Sequence, residues 1–151
     1  MATAPMRTPT HLWIVGVLSL LWNCFGGYDY LMTKMRNMDY LAGMTPPGVD
    51  PNALLAYVEG MPLYAQVGWG LGVWAALIGS VLLLMRNRYA VWAFGLSLVG
   101  MALSFGYMFF GPPMPGSEEA GMMKYMPLLI VILGIAQFAY ARAAEKKGLL
   151  H

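Results

Sequence analysis

Charge is what this chain has least of. Only 11% of its 151 residues are Asp, Glu, Lys or Arg, while 59% are hydrophobic; a soluble globular domain carries about 25% charged residues. A soluble four-helix bundle also needs a polar face on every helix. The segment 67–85 offers only Trp69, Trp74 and Ser80 as polar side chains. In water such a segment would expose a large apolar surface; in lipid it exposes nothing unfavourable. The net charge of +2 excludes the basic footprint expected of a nucleic-acid binder. Cysteine is almost missing too. Cys24 stands alone, which rules out an intrachain disulfide, and its place in an apolar run reads as a small buried hydrophobe. Histidine is limited to His11 and His151. With no His-rich metal pattern, no H-E-x-x-H and no nucleophile–base pair, an enzyme is the least favoured class; any cofactor is unknown from the sequence.

What the chain does have is four long apolar runs, at about 12–31, 62–85, 89–110 and 125–141. Each can cross a hydrocarbon core about 30 Å thick, which takes about 20 helical residues. The expected fold is an all-α, four-helix transmembrane bundle with up-down-up-down topology, one domain over residues 1–151. Arg7 followed by an apolar run has the outline of an export signal. The run lacks a small-residue cleavage site and has full spanning length, so it is expected to be retained.

Arg7, Arg86, Arg88, Arg142, Lys146 and Lys147 fall on one side of this arrangement, and Lys34, Arg36 and Lys124 on the other. The positive-inside bias puts both termini in the cytoplasm, and the even number of spans requires them to lie on one side. The short link Arg86-Asn87-Arg88 makes spans two and three a hairpin. The outer connections, 32–61 and 111–124, are longer. In the first, Asp50 or Asn52 is placed to cap a short amphipathic helix over 52–59, with Pro51 in its first turn. Ala53, Leu54, Tyr57 and Val58 would form its apolar side, on the membrane surface. In the second, Ser117 ahead of Glu118 and Glu119 is placed to start a short helix.

Helix association in lipid rests on close van der Waals packing, which small residues permit. Span two carries Gly68, Gly72, Ala76 and Ser80 at intervals of four, predicting the tightest seam against span one or three. Span four has fewer small residues and presents Leu128, Leu129, Ile132, Leu133 and Ile135 outward.

The candidate ligand site is the polar end of span one. Asn23 lies in an apolar span and needs a partner, because a buried amide left unbonded costs about 1–3 kcal/mol. Gly26-Gly27 is unfavourable in a helix interior unless packing or a bend uses it. Asp29 follows on the face of Trp22 and Gly26. An acid at that depth is a functional hypothesis by default, the alternative being an anchor paired with Lys34 or Arg36. Asn23, Tyr28, Asp29, Arg36 and Asn37 are the candidate ligand-binding residues, in a cavity between spans one and two.

The run Trp22-Asn23 to Gly27-Tyr28-Asp29-Tyr30-Leu31-Met32-Thr33, then Arg36-Asn37 and Tyr40-Leu41, resembles small bacterial four-helix inner-membrane proteins often labelled sugar-transporter-like. The resemblance extends over Gly60-Met61-Pro62, Trp69, Trp74, Gly79-Ser80 and residues 82–88, most of the chain. It implies a four-span fold in a bacterial inner membrane and a shared site around Asn23–Asp29 and Arg36-Asn37. Alternating-access carriers normally use two repeated halves, so transport by this chain implies a homo-oligomer.

Ten of the fourteen methionines lie at or beyond the outer boundary. Met32, Met35 and Met38 are spaced by three, and Met122 and Met126 by four. Thioethers suit Cu(I), so these five are the candidate metal ligands; packing of irregular gaps is the competing reading. Three function classes follow: a transporter-like protein that handles a small ligand, a non-catalytic accessory subunit of a larger membrane complex, and an outer-face copper binder. The lipid bilayer is the one partner common to all three.

Overall fold

The computed structural model describes residues 7–116 and 125–151. Among these the structure is all helical: α1 (Thr10–Lys34), α2 (Met38–Met44), α3 (Pro51–Glu59), α4 (Leu63–Leu84), α5 (Tyr89–Phe110) and α6 (Met126–Lys146). α1, α4, α5 and α6 are long and apolar enough to cross a membrane, which makes this a multi-pass membrane protein. The span expected at 89–110 coincides with α5. α1 and α6 run a few residues beyond the expected limits of their spans. The start expected at Ser117 lies outside the described residues.

The expected helix of the first outer loop is α3. Its cap is Asp50, whose carboxylate accepts from the Asn52 amide at 2.9 Å. A second loop helix, α2, was not expected; the Asn37 side chain caps it by accepting from the Tyr40 amide at 3.0 Å. The same turn closes α1 and α4. In each an arginine takes a left-handed conformation, Arg36 at φ 56° and Arg86 at φ 57°. The next residue, Asn37 or Asn87, reaches back to the carbonyl of Met32 or Leu82, the Schellman arrangement that satisfies the last carbonyls of a helix. Both asparagines then accept a backbone N–H of the following helix.

α1 packs on α4, α4 on α5, and α5 on α6. The small-residue stripe of α4 serves two neighbours rather than one. A Cβ at Gly100 of α5 would lie 2.5 Å from both the Gly68 carbonyl and the Gly72 amide, so α4 and α5 touch backbone to backbone. Ser97 strengthens this seam by donating to the Gly72 carbonyl at 2.7 Å. Farther along the stripe, Ala76 and Ser80 receive Asn23 from α1. α6 presents Leu128, Leu129, Ile132 and Ile135 outward as expected, while Leu133 is half-buried. Cys24 is exposed rather than buried: α1 has its neighbours on one side, so the opposite side is left to lipid.

One end of the bundle is closed. Leu12, Leu83, Val91, Phe94, Ala141 and Leu150 form its apolar core. The Arg86 guanidinium donates to the Leu149 carbonyl and the Thr8 hydroxyl. His151 exchanges backbone hydrogen bonds with Arg86 and Arg88, and His11 meets the Tyr140 hydroxyl across α1 and α6. Thr8, His11, Leu149 and His151 therefore help to close this end. The other end behaves differently.

Candidate functional site

Beyond Asn23 the bundle opens into a cavity of about 1090 Å³, lined by α1, α4, α5, α6 and the loop segment 40–61. This is at or above the upper end of the usual range for small-molecule sites, about 300–1,000 Å³.

Its floor is a polar knot. The Asn23 amide donates to the Ala76 carbonyl (3.1 Å), the Ser80 hydroxyl (2.7 Å) and the Gln137 side-chain oxygen (3.3 Å). A backbone carbonyl only accepts, so the contact with Ala76 fixes which end of the Asn23 amide faces α4. Gln137 then presents its oxygen to Asn23, and its own NH₂ has no partner among the described residues.

The wall above it carries Asp29. Trp22, Phe25, Gly26 and Asp29 line the cavity together, which is the helical face expected from their spacing. A Cβ at Gly26 would meet nothing within 4 Å, whereas Gly27 packs toward Trp74 and Leu77. The pair therefore divides its work: Gly27 lets α1 approach α4, and the bare Gly26 leaves room inside. α1 is helical through both glycines.

Asp29 does not pair with Lys34 or Arg36. Lys34 donates to Gln66 at 3.2 Å and lies over the rings of Tyr30 and Trp69. Arg36 pairs with Glu59 at 2.6 Å on the exposed surface. The left-handed turn at Arg36 carries that cation away from the carboxylate, and Lys34, the last residue of α1, is engaged with Gln66 instead. Asp29 instead accepts from the Tyr40 hydroxyl at 2.7 Å. Burial, followed by the bond to Asp29 and the acid's charge, holds the Tyr40 phenol above its usual range.

Of the five expected ligand residues, Asn23 and Asp29 line the cavity, and Tyr28, Arg36 and Asn37 do not. Tyr28 is exposed and meets Tyr40 edge to face at 5.5 Å. Arg36 and Asn37 are indirect: they end α1 and cap α2, which brings Tyr40 to Asp29. The cavity also reaches beyond the expected gap between spans one and two, because α5, α6 and the loops line it as well. α3 does not simply rest on the membrane surface, since Leu54, Tyr57 and Val58 face this cavity.

The methionine expectation is revised. α1 ends at Lys34 and α2 starts at Met38, so Met32, Met35 and Met38 share no helical face. Met35 is 69% exposed, and the Met32 sulfur accepts from the Asn37 amide. Met122 lies outside the described residues. Met126 does line the cavity, alongside Met44, Met61, Met101, Met108 and Met114.

Sequence reasoning missed Gln137, Tyr40 and Tyr57 as site residues. Gln137 carried the same signal as Asn23, an amide in the middle of an apolar span. Tyr57 was legible only as part of the apolar side of the loop helix, and Tyr40 carried no such signal, because the fold of the loop turns both inward. The Tyr57 hydroxyl is a buried polar atom without a hydrogen-bond partner among the described residues, and burial, then the neighbouring Tyr107, raises its phenol.

Fold and site together define a multi-pass membrane protein with a ligand-sized cavity at the loop end of its bundle. The chain matches no family model, no curated protein and no solved structure.

Proposed function

We propose that this protein binds a small, largely apolar molecule in the loop-end cavity, as a transporter-like component of a bacterial inner membrane. In this reading both termini are cytoplasmic, the helices run out, in, out and in, and the cavity lies toward the outer face. The six basic residues grouped with the termini and the α4–α5 turn support that orientation.

The observation that carries the reading is the cavity itself, with amides at its floor and one carboxylate on its wall. Clefts of this size, mostly apolar with a few placed polar groups, are where small ligands bind. An accessory subunit has no use for such a cavity and would be served by a packed interior. The sugar-transporter-like resemblance agrees with this reading in placing a site at Asn23–Asp29. Movement of the ligand across the membrane would call on a second copy of the chain.

The test is occupancy. Wild type and Gly26→Trp, purified in parallel in lipid nanodiscs, are extracted and their retained small molecules compared by mass spectrometry. The tryptophan enters space where a Cβ meets nothing, so folded yield should hold while a stoichiometric occupant disappears. Equal retention by both proteins, or none by either, contradicts the reading.

A further inference from the structure

We propose that the cavity selects a hydrophobic organic cation, an amine or a quaternary ammonium or phosphonium ion, with its charge beside Asp29 and its apolar body against the aromatic wall. This inference rests on the ligand-binding reading above and names the class of ligand.

The first ground is charge. Among the described residues, Asp29 is the one acidic residue that lines the cavity, and no lysine or arginine lines it. The cations closest in sequence are engaged elsewhere, Lys34 with Gln66 and Arg36 with Glu59. Tyr40 binds Oδ1 of the carboxylate, and Oδ2 has no partner among the described residues. A carboxylate in an apolar setting is unfavourable without a counter-charge. An anionic ligand would make this worse, and a neutral one would leave it unchanged.

The second ground is the wall. Trp22, Phe25, Tyr40, Tyr57, Trp69 and Phe105 all line the same space. Aromatic faces attract organic cations, most strongly where water is excluded. The third is independent of Asp29. The Tyr57 hydroxyl, buried and without a partner among the described residues, supplies an oxygen that an amine N–H can use. Hard inorganic cations fit less well, since they take six or more oxygen ligands and this wall carries a single carboxylate.

The experiment uses the full chain in lipid nanodiscs and three probes of similar shape: tetraphenylphosphonium, neutral triphenylphosphine oxide and tetraphenylborate. Empty nanodiscs subtract partition into lipid. We expect saturable binding with the cation favoured over the neutral probe by about tenfold or more, and the anion weakest. Asp29→Asn, which still accepts from Tyr40, should remove that preference while the neutral probe binds as before. If Asp29→Asn folds poorly, Tyr57→Phe provides a second reading: it should weaken a primary-amine probe, triphenylmethylamine, and leave tetraphenylphosphonium unchanged. Equal binding of cation and neutral probe, unaffected by Asp29→Asn, overturns the cation inference and leaves the cavity reading standing. Absence of saturable binding by any probe overturns this inference. Joined to equal small-molecule retention in Gly26→Trp, it also removes the cavity reading.

Discussion

Asn23 on α1 and Gln137 on α6 meet across the bundle at 3.3 Å, amide to amide, at the level where the closed end gives way to the cavity. Asn23 also holds α4 through Ala76 and Ser80, so one side chain ties three spanning helices. Hydrogen bonds between membrane helices average about 0.6 kcal/mol in double-mutant cycles and reach about 1.7. A cycle of Asn23→Leu and Gln137→Leu, read by unfolding in mixed micelles, should give a coupling energy in that range, with Asn23→Leu the costlier single change. Additive effects would mean that the pair is not coupled.

The α4–α5 seam and the Gly26 wall make opposite predictions for one added methyl group. Gly100→Ala places a Cβ 2.5 Å from backbone atoms of Gly68 and Gly72, and backbone cannot give way as a flexible side chain can. Overpacking of this kind costs about 1–3 kcal/mol, and this site should fall at the high end. Gly26→Ala meets nothing within 4 Å and gains helix propensity, about 0.8–1.0 kcal/mol at most. Unfolding in the same micelles checks both. Similar destabilisation by the two substitutions would contradict the assigned packing.

Tyr40 supplies a pH prediction. Its phenol is raised in the folded protein from the ordinary value of 10.0, by burial first and then by Asp29. Below that ordinary value both folded and unfolded chains keep the proton, and this contribution to stability is fully present. As pH rises past it the unfolded chain releases the proton while the folded chain holds it, so stability falls. Thermal unfolding midpoints should therefore drop more steeply above about pH 10 in wild type than in Tyr40→Phe. Parallel curves would mean that the Tyr40 phenol is not held above its ordinary value in the folded protein.

How much of this was legible in the sequence depends on how local the cause is. Span positions were legible because about 20 apolar residues in a row have few other fates. The Asp50 cap was legible because it acts over two residues. Asn23 was legible as a group in need of partners, and Asp29 as an acid on the Trp22–Gly26 face. The pairing of Asp29 was not, because it depends on Arg36 entering a left-handed turn that is more often given to glycine. That turn broke the Met32–Met35–Met38 spacing and sent Arg36 elsewhere. Tyr40 and Tyr57 were hidden because loop helices have no lipid constraint to fix which side faces inward. Gln137 was readable by the rule applied to Asn23.

α1 carries a cavity wall on one side and lipid on the other. Cys24 is the chain's one cysteine, so a Cys24→Ala background gives a clean test. Gly26→Cys introduces a thiol on the cavity side, and Leu21→Cys one on the lipid side, where Leu21 is 63% exposed. A small membrane-impermeant methanethiosulfonate reagent is added to each face of the membrane in turn. We expect labelling of Gly26→Cys from the outer face and none of Leu21→Cys from either. Resistance of Gly26→Cys from both faces, or equal labelling of the two positions, would contradict it.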